Sequence, residues 1–419
     1  MHILDELQVR GLLKDVTHSE ALKARMDAGP ITFYAGYDPT TDSLTLGNCV
    51  ALMLQAHLQR AGHKPIVVMG GATGLVGDPT GKDKTRSSLS RAQLDANLQG
   101  QRPVYGRALE LEGDEDAGPQ AAKVLNNADW FAGIGYLEFL RDVGRHFSVN
   151  EMITADTYAR RLQNNQHLSF IEFNYRCLQA YDFLHLFREE NCELQVGGSD
   201  QWGNCVAGSE LIRKAVPGAR AWVLTCPLLL TADGKKMGKT ERGAVFVGAH
   251  KTPPYELFQY LVNVPDSEVG KLFRIFTFLS LEEISVLEEQ KGAAINDSKR
   301  RLAWEVTALF HGVDEANKSR DAAAALFASG ASGSMDDVPT VELSTGLFEG
   351  DGVAFYKLLM EAGLQSSGKQ AKTLAKQGGA YVNGERESDP FRAITSADFE
   401  DGALLLRAGK KKYCRVLVT

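Results

Sequence analysis

The chain has 419 residues, too many for one ordinary hydrophobic core, so two or three domains are expected. Hydrophobic residues make up 44% and charged residues 24%, as in an ordinary soluble protein, and the net charge is −7. A nucleic-acid partner would need a local basic surface, because the overall field repels phosphate. No apolar run approaches the roughly 20 residues of a membrane helix. The six cysteines are scattered, which favours a reducing cytoplasm over a disulfide framework or a zinc site.

The first elements predict an α/β domain. "MHILDELQVRGLL" is typical of a short amphipathic helix and not of a signal peptide. "ITFYAGY" and "KPIVVMGG" have the apolar character of buried strands, and "LGNCVALMLQAHLQRAG" between them has helical spacing. This βαβ order predicts a Rossmann-like parallel sheet whose ligands bind beyond the carboxyl ends of the strands. A further strand, "RAWVLTCPLLL", precedes another glycine-rich loop.

The rest of the chain divides into three further parts. Four helical patterns between residues 247 and 328 predict a helical domain, and residues 329–351 are small, polar and weakly patterned, as in a linker. Residues 352–419 predict a small α+β module with two helices and a turn at Asn383-Gly384. We therefore expect a catalytic domain over 1–246, followed by these three segments.

Two glycine-rich loops carry cations without matching a phosphate-binding loop. "GDPTGKD" and "GKKMGKT" each place three residues between their glycines, where the phosphate-binding pattern has four. Each loop alone would be read as an ordinary turn. Together they offer Lys82, Arg86, Lys236 and Lys239 to one crevice, where mobile cations could hold a polyphosphate and stabilise a charged transition state.

The sequence resembles the bacterial tyrosyl-tRNA synthetases, which are class I aminoacyl-tRNA synthetases. The motifs that carry the resemblance span the chain: "YAGYDPTTDSLTLGN", "GGATGLVGDPTGK", "FLRDVGRHFSVN", "SFIEFNYRCLQAYDF", "GGSDQWGN" and "DGKKMGKT". The family implies that ATP and tyrosine form tyrosyl-adenylate and pyrophosphate, and that the tyrosyl group then moves to the 3′ end of its tRNA. The substrate carboxylate is the nucleophile, so the protein positions groups and stabilises charge without a general base.

The resemblance implies a role for each matching position. Tyrosine would be bound by Tyr34, Asp78, Asn127, Tyr175, Gln179, Asp182 and Gln201. ATP would be contacted by Asp38, Gly47, Gly198, Asp200 and Lys239. The catalytic residues would be Thr40, Thr45, Asn48, Lys82, Arg86, Lys236 and Lys239. Magnesium would enter with ATP, held by phosphates and water, without a dedicated protein metal site.

Several of these residues have simpler interpretations. Tyr34 alone would be an ordinary strand aromatic, and Asp182 alone a surface acid on a helix. Tyr175, Gln179 and Asp182 are spaced four and three apart and so share one helix face, which is usually solvated. Their position beside "SFIEF" and "GGSDQWGN" favours a pocket instead.

The tRNA contacts are expected on basic side chains. The final module resembles a small RNA-binding fold named after a ribosomal small-subunit protein, and its last fifteen residues hold five Lys and Arg residues and no acid. The expected contacts are Arg213, Lys214, Arg407, Lys410 and Lys411. Relatives are homodimers, so a cytoplasmic homodimer without membrane contact is expected, with its interface near "FLRDVGRHFSVN" and "SFIEF".

The first signature of the class I family departs from its usual form. It normally begins with histidine, and here it reads Thr45-Leu46-Gly47-Asn48. In the family that histidine acts with the residue at Thr40 on the γ-phosphate, and the shorter threonine predicts slowed activation. This departure leaves open a second hypothesis, a synthetase-derived RNA-binding or regulatory protein. Tryptophan as the substrate is a third, which a phenol-binding pair disfavours.

Overall fold

The computed structural model describes the whole chain except residues 81–88, 232–233, 235–236, 241–242, 329–338, 401, 410–411 and 419. For residues 156, 157, 239, 240 and 325–328 it describes the backbone alone. The chain forms two compact units, one of residues 1–252 with 264–298 and one of residues 253–263 with 299–419. The described residues contain no helix that is both long and apolar enough to cross a membrane.

The first unit is built on a six-stranded sheet in the order β1-β6-β5-β2-β3-β4. Its strands are β1 (Asp15–Val16), β2 (Thr32–Tyr37), β3 (Lys64–Met69), β4 (Lys123–Asn126), β5 (Cys192–Gly198) and β6 (Trp222–Cys226). Strands β2 to β6 run parallel, which confirms the predicted Rossmann-like sheet, and the short edge strand β1 pairs antiparallel with β6. Strand order reverses between β2 and β5, so a crevice opens at their carboxyl ends.

Helices cover the sheet and complete the first unit. They are α1 (Ile3–Arg10), α2 (Ser19–Asp27), α3 (Cys49–Arg60), α4 (Thr73–Val76), α5 (Arg91–Ala108), α6 (Ala128–Phe131), α7 (Tyr136–Asp142), α8 (Val149–Met152), α9 (Asp156–Gln163), α10 (Phe170–Glu190), α11 (Trp202–Ala215), α13 (Val269–Phe276) and α14 (Leu281–Glu288). A small hairpin, β7 (Lys239–Thr240) and β8 (Gly243–Ala244), follows the second glycine-rich loop. Helix α10 begins at a capping box in which Ser169 and Glu172 satisfy each other's backbone N–H groups.

Part of the predicted helical region belongs to this first unit. Helix α13 buries Leu272, Phe273 and Phe276, and it packs against α3 and α1. The buried guanidinium of Arg10 donates to the carbonyls of Thr277 and Leu279 just beyond α13. Residues 264–298 are therefore compact with the sheet, although their sequence pattern is continuous with the helices that follow.

The second unit holds the remaining helices and a separate small sheet. Its helices are α12 (Pro254–Val262), α15 (Ile295–His311, whose first residues belong to the first unit), α16 (Val313–Ala328), α17 (Phe355–Glu361) and α18 (Gly368–Lys376). Its strands are β9 (Thr340–Leu343), β10 (Val353–Ala354), β11 (Ala380–Val382), β12 (Glu385–Arg386), β13 (Ala393–Ile394), β14 (Ala403–Ala408) and β15 (Lys412–Val418). Five of them form one sheet in the order β12-β11-β14-β15-β9, while β10 pairs with β13.

The end of the predicted linker has to be corrected. Strand β9 lies inside the predicted linker, residues 329–351, yet it pairs in parallel with β15. Val341 and Leu343 alternate with polar residues and pack against the core of the module, which is why a segment of low overall hydrophobicity forms a strand. The predicted turn is confirmed: Asn383 and Gly384 have φ of 46° and 84° and join β11 to β12.

Candidate active site

A cleft of about 640 Å³ lies at the carboxyl ends of β2 and β5, where the strand order reverses. The structure brings fourteen of the predicted site residues to its walls. They are Tyr34, Asp38, Thr40, Thr45, Gly47, Asn48, Asp78, Asn127, Tyr175, Gln179, Asp182, Gly198, Asp200 and Gln201. Because these residues come from five separate stretches of sequence, their convergence is a property of the fold and not of local sequence.

Asp182 is the most deeply buried acid of the cleft. Its side chain is 4% exposed, and its two oxygens accept hydrogen bonds from Trp130 Nε1 at 2.9 Å and Asn127 Nδ2 at 3.2 Å. Burial raises the pKa of Asp182 to about 7, although these two donors oppose the shift. The carboxyl therefore titrates near neutral pH and is held in one orientation.

Thr73 and Asn127 connect this acid to a second one. Asn127 Nδ2 also donates to Thr73 Oγ1 at 3.0 Å, and Thr73 Oγ1 donates to Asp38 Oδ1 at 2.8 Å. Tyr175 completes the chain by donating its hydroxyl to Asp38 Oδ2 at 2.8 Å. A continuous set of buried hydrogen bonds thus fixes Asp182, at the base of the cleft, relative to Asp38 beyond β2. Sequence reasoning missed Trp130 and Thr73, since neither carries a signal that separates it from an ordinary core residue.

The glycines after β3 make this chain of hydrogen bonds possible. A Cβ atom on Gly70 would lie 2.3 Å from Asp38 Oδ1 and 2.6 Å from Thr73 Oγ1. Any side chain at Gly70 would therefore displace the carboxylate or the hydroxyl that it meets. The backbone between β3 and the first glycine-rich loop is therefore closely packed against Asp38.

The hydroxyl of Tyr34 is buried and has no hydrogen-bond partner among the described residues. Its ring is 1% exposed and packs against Phe183 with a centroid separation of 5.3 Å. Burial raises the pKa of Tyr34, and the nearby Asp182 carboxyl raises it further, so the hydroxyl stays protonated. Gln179 Oε1, in the same cleft, is likewise buried and unpartnered within the described chain. A ligand that supplies polar groups at these points would satisfy both atoms.

The first signature forms a hydrogen-bonded turn at the start of α3. Thr45 Oγ1 donates to Asn48 Oδ1 at 2.5 Å and accepts from the Asn48 backbone N–H at 3.2 Å. The backbone of this turn also bridges to the segment after β8, through Leu46 N to the carbonyl of Val245 at 3.0 Å. The threonine hydroxyl is therefore engaged with Asn48, and backbone hydrogen bonding joins this turn to the segment after β8.

Two protein-family models match this chain. Residues 26–328 match the family of class I tRNA synthetases for tryptophan and tyrosine, and residues 331–416 match the C-terminal domain of tyrosine–tRNA ligases. The chain belongs to the class I tRNA synthetase family. The resemblance inferred from the motifs is thereby confirmed, as is the expected fold class.

Curated relatives of this synthetase family cover the full length of the chain. The tyrosine–tRNA ligase of Desulfatibacillum aliphaticivorans is 43% identical over 100% of this chain and 99% of its own. That of Clostridium beijerinckii is 42% identical over 99% of both. Among solved structures, a C-terminally truncated mitochondrial tyrosyl-tRNA synthetase from Aspergillus nidulans is 29% identical, with a TM-score of 0.68 over 76% of this chain and 92% of its own.

The remaining predicted residues of this synthetase lie outside the cleft or outside the described residues. Lys82, Arg86, Lys236, Lys410 and Lys411 are outside the described residues, and of Lys239 only the backbone, in β7, is described. Arg213, Lys214 and Arg407 are described, and none of the three lines the cleft.

The described basic residues make local contacts. On α11, Arg213 pairs with Glu210 at 2.7 Å, and Lys214 donates to the carbonyl of His146 at 2.9 Å. On β14, the guanidinium carbon of Arg407 lies 3.4 Å from the centroid of the Tyr381 ring. These contacts leave the α11 side chains exposed and hold the Arg407 plane against an aromatic face.

No group of three or more His, Cys, Asp or Glu side chains within the described part of the chain could hold a metal ion. The described acids of the cleft, Asp38, Asp78, Asp182 and Asp200, instead have distinct surroundings. Asp38 and Asp182 accept from hydroxyl, indole and amide donors, which suits acids that position organic groups. The oxygens of Asp38 and Asp182 are therefore already engaged by donors of the protein.

Proposed function

We propose that the chain is a tyrosine–tRNA ligase. It activates L-tyrosine with ATP to tyrosyl-adenylate and transfers the tyrosyl group to the 3′ end of its cognate tRNA. The observation that carries the proposal is the buried, unpartnered Tyr34 hydroxyl in the same cleft as Asp182. A substrate phenol satisfies both at once, since it can accept from Tyr34 and donate to the Asp182 carboxylate.

The described contacts support an assignment for the amino-acid half of the site. The ammonium group of tyrosine is held by Asp78, Tyr175 and Gln179, whose buried Oε1 accepts a hydrogen bond from it. Gln201 lies near the carboxylate, and Asn127 keeps the pocket in shape through Asp182 and Thr73. Phenylalanine is disfavoured because it would leave the Tyr34 hydroxyl and the Asp182 carboxylate without a partner.

The nucleotide half uses the other end of the cleft. Asp200 and Gly198 contact the ribose, and a Cβ on Gly198 would lie 2.7 Å from Asp200 Oδ1, so a side chain there would displace that carboxylate. Gly47, at the exposed start of α3, lies under the adenine, and Asp38 orients the turn. Thr40, Lys82, Arg86, Lys236 and Lys239 stabilise charge on the α-phosphate and on the departing pyrophosphate. Magnesium enters with ATP, held by its phosphates.

The first signature carries a cost in activation rate. Thr45 uses its hydroxyl to hold Asn48, so it is not free to follow the γ-phosphate as the family histidine does. Removing one transition-state donor lowers the rate by about 10²–10³-fold. Activation is therefore slow relative to tyrosine binding.

The tRNA and the second subunit meet other surfaces. Residues 1–246 form the catalytic domain, residues 247–328 form the helical anticodon-binding domain, and the module after the linker binds RNA. The tRNA is contacted by Arg213, Lys214, Arg407, Lys410 and Lys411. The enzyme is a cytoplasmic homodimer. Support for the interface comes from exposed apolar side chains near its expected position: Tyr136 (62%), Leu137 (78%), Val149 (61%), Phe170 (67%) and Ile171 (52%).

Tyrosine-dependent ATP–pyrophosphate exchange tests the proposal. We expect exchange that requires tyrosine, that tryptophan neither supports nor inhibits, and that is followed by tyrosylation of the cognate tRNA. Exchange with tryptophan in place of tyrosine would refute the substrate. Binding of tRNA without any exchange would favour the regulatory RNA-binding protein, the one alternative that Thr45 supports.

A further inference from the structure

Four residues form a closed ring of hydrogen bonds at the cleft, through their side chains and one backbone N–H. Gln201 Nε2 donates to Asp78 Oδ2 at 2.7 Å, and the Thr80 backbone N–H donates to Asp78 Oδ1 at 2.9 Å. Asn204 Nδ2 closes the ring, donating to Gln201 Oε1 at 3.1 Å and to Thr80 Oγ1 at 3.4 Å. The ring joins the start of α11 to Asp78 and Thr80.

Asn204 belongs to the ring without belonging to the walls of the cleft. Its side chain is 7% exposed, and the described residues that line the cleft include Asp78, Thr80 and Gln201 but not Asn204. On its far side, Asn204 Oδ1 accepts from Arg176 Nε at 3.5 Å. A Cβ on Gly203 would lie 2.7 Å from Arg176 Nη2, so the glycine before Asn204 leaves room for that guanidinium.

The direction of the hydrogen bonds gives Asn204 a specific task. A carboxamide has one acceptor end and one donor end, so Gln201 can donate to Asp78 only if its oxygen points the other way. That oxygen meets the NH₂ of Asn204, and the oxygen of Asn204 faces Arg176. The orientation of Asn204 therefore selects the Gln201 orientation in which Asp78 receives a hydrogen bond.

We propose that Asn204 is a positioning residue for tyrosine binding, acting on Asp78 through Gln201 and Thr80. The inference rests on the proposed function, in which Asp78 holds the substrate ammonium group. With Gln201 and Thr80 fixed, the Asp78 carboxylate is held in the cleft before tyrosine arrives. Preorganisation of this kind is expressed in the affinity for tyrosine.

Asn204→Asp tests the proposal, because it keeps the shape and replaces the donor with an acceptor. Gln201 then faces a carboxylate, turns its NH₂ toward residue 204 and presents its carbonyl to Asp78. We expect a roughly ten- to hundredfold rise in KM for tyrosine in pyrophosphate exchange, the effect of losing one hydrogen bond to a charged group. The kcat and the KM for ATP should change by less than about threefold. Asn204→Ala removes the donor without adding charge, and a smaller rise in the same constant is expected.

A control and two opposite outcomes make the test decisive. Asn317→Asp serves as the matched control, because Asn317 Oδ1 accepts from Trp304 Nε1 at 2.9 Å and a carboxylate accepts equally well. A purely structural role for Asn204 would lower the melting temperature and the yield of active enzyme while KM for tyrosine stayed at the wild-type value, and that result would overturn the proposal. If Asn204→Asp does not fold, KM for tyrosine in Asn204→Ala decides in the same way. Wild-type enzyme without tyrosine-dependent exchange would instead refute the proposed function.

Discussion

Tyr34→Phe should stabilise the ligand-free protein and weaken tyrosine binding at the same time. The Tyr34 hydroxyl is buried without a partner in the described structure, and such a group costs about 1–3 kcal/mol. Phenylalanine keeps the ring against Phe183 and removes that cost, so the free energy of unfolding should rise by about 1 kcal/mol or more. In the complex the substrate phenol loses one neutral hydrogen bond, which corresponds to about 0.5–1.5 kcal/mol, or roughly a two- to twelvefold rise in KM for tyrosine.

The matched control lies on the same strand. Tyr37 is also a buried tyrosine of β2, but its hydroxyl donates to Gln55 Oε1 at 2.9 Å. Tyr37→Phe breaks a satisfied hydrogen bond, so it should lower the free energy of unfolding by about 1 kcal/mol. The two variants remove the same atom and should shift stability in opposite directions.

Urea unfolding of the ligand-free protein measures the first effect, and pyrophosphate exchange with tyrosine or phenylalanine measures the second. Tyr34→Phe should reduce the ratio of kcat/KM for tyrosine to kcat/KM for phenylalanine. In this variant, bound phenylalanine no longer leaves a buried Tyr34 hydroxyl without a hydrogen-bond partner. If Tyr34→Phe destabilised the protein as Tyr37→Phe does, and left KM for tyrosine unchanged, the hydroxyl would have a partner other than the substrate and the reasoning would fail.

Three further predictions concern the acid, the first signature and the dimer. Burial raises the pKa of Asp182 to about 7, above its value in the unfolded chain. As the pH rises from about 6 to 8 the accepting carboxylate forms, so KM for tyrosine should fall. The contribution of this group to the free energy of unfolding should be lost as the pH rises from about 4 to 7, because the unfolded chain releases the proton at lower pH. Asp182→Asn should flatten both profiles, and Trp130→Phe, which removes a donor that lowers that pKa, should move the KM profile to higher pH. Thr45→His should raise kcat of exchange, provided that the new imidazole can leave the Asn48 turn; no gain would mean that the site stabilises the γ-phosphate by another route. Phe170→Asp, at 67% exposure, should convert a dimer to monomers in sedimentation, and an unchanged sedimentation coefficient would place the interface elsewhere.

The parts of the site that are visible in sequence are those with a local pattern. The strands and helices of the βαβ unit follow from apolar runs and helical spacing, and the motif residues share stretches such as "GGSDQWGN". The strand order was not predictable in this way. Nothing local in β5 (Cys192–Gly198) indicates that it lies beside β2, and that adjacency is what brings Gly198 and Asp200 to the same cleft as Tyr34 and Asp38.

Hydrogen bonds between side chains far apart in the sequence could not be predicted either, for a different physical reason. Whether Asp182 is a solvated surface acid or a buried one with a pKa near 7 depends on Trp130 and Asn127, which lie more than fifty positions earlier. The helical spacing of Tyr175 and Asp182 fits both readings equally well. The burial of Asp182 decides between a solvated and a buried acid, and it depends on the residues that pack against α10.

Gly70 lies between β3 and the first glycine-rich loop, and its role differs from the phosphate binding that such a loop suggests. A glycine-rich loop with a lysine suggests phosphate binding, because glycine lets backbone N–H groups approach an anion. Gly70 instead leaves the space occupied by Asp38 Oδ1 and Thr73 Oγ1. These atoms belong to the hydrogen-bonded chain that links Asp38 to Asp182, so this glycine serves the geometry of the amino-acid site. Under the proposed function, phosphate contact falls to Lys82 and Arg86 further along the chain, because a charge acts without such close backbone packing.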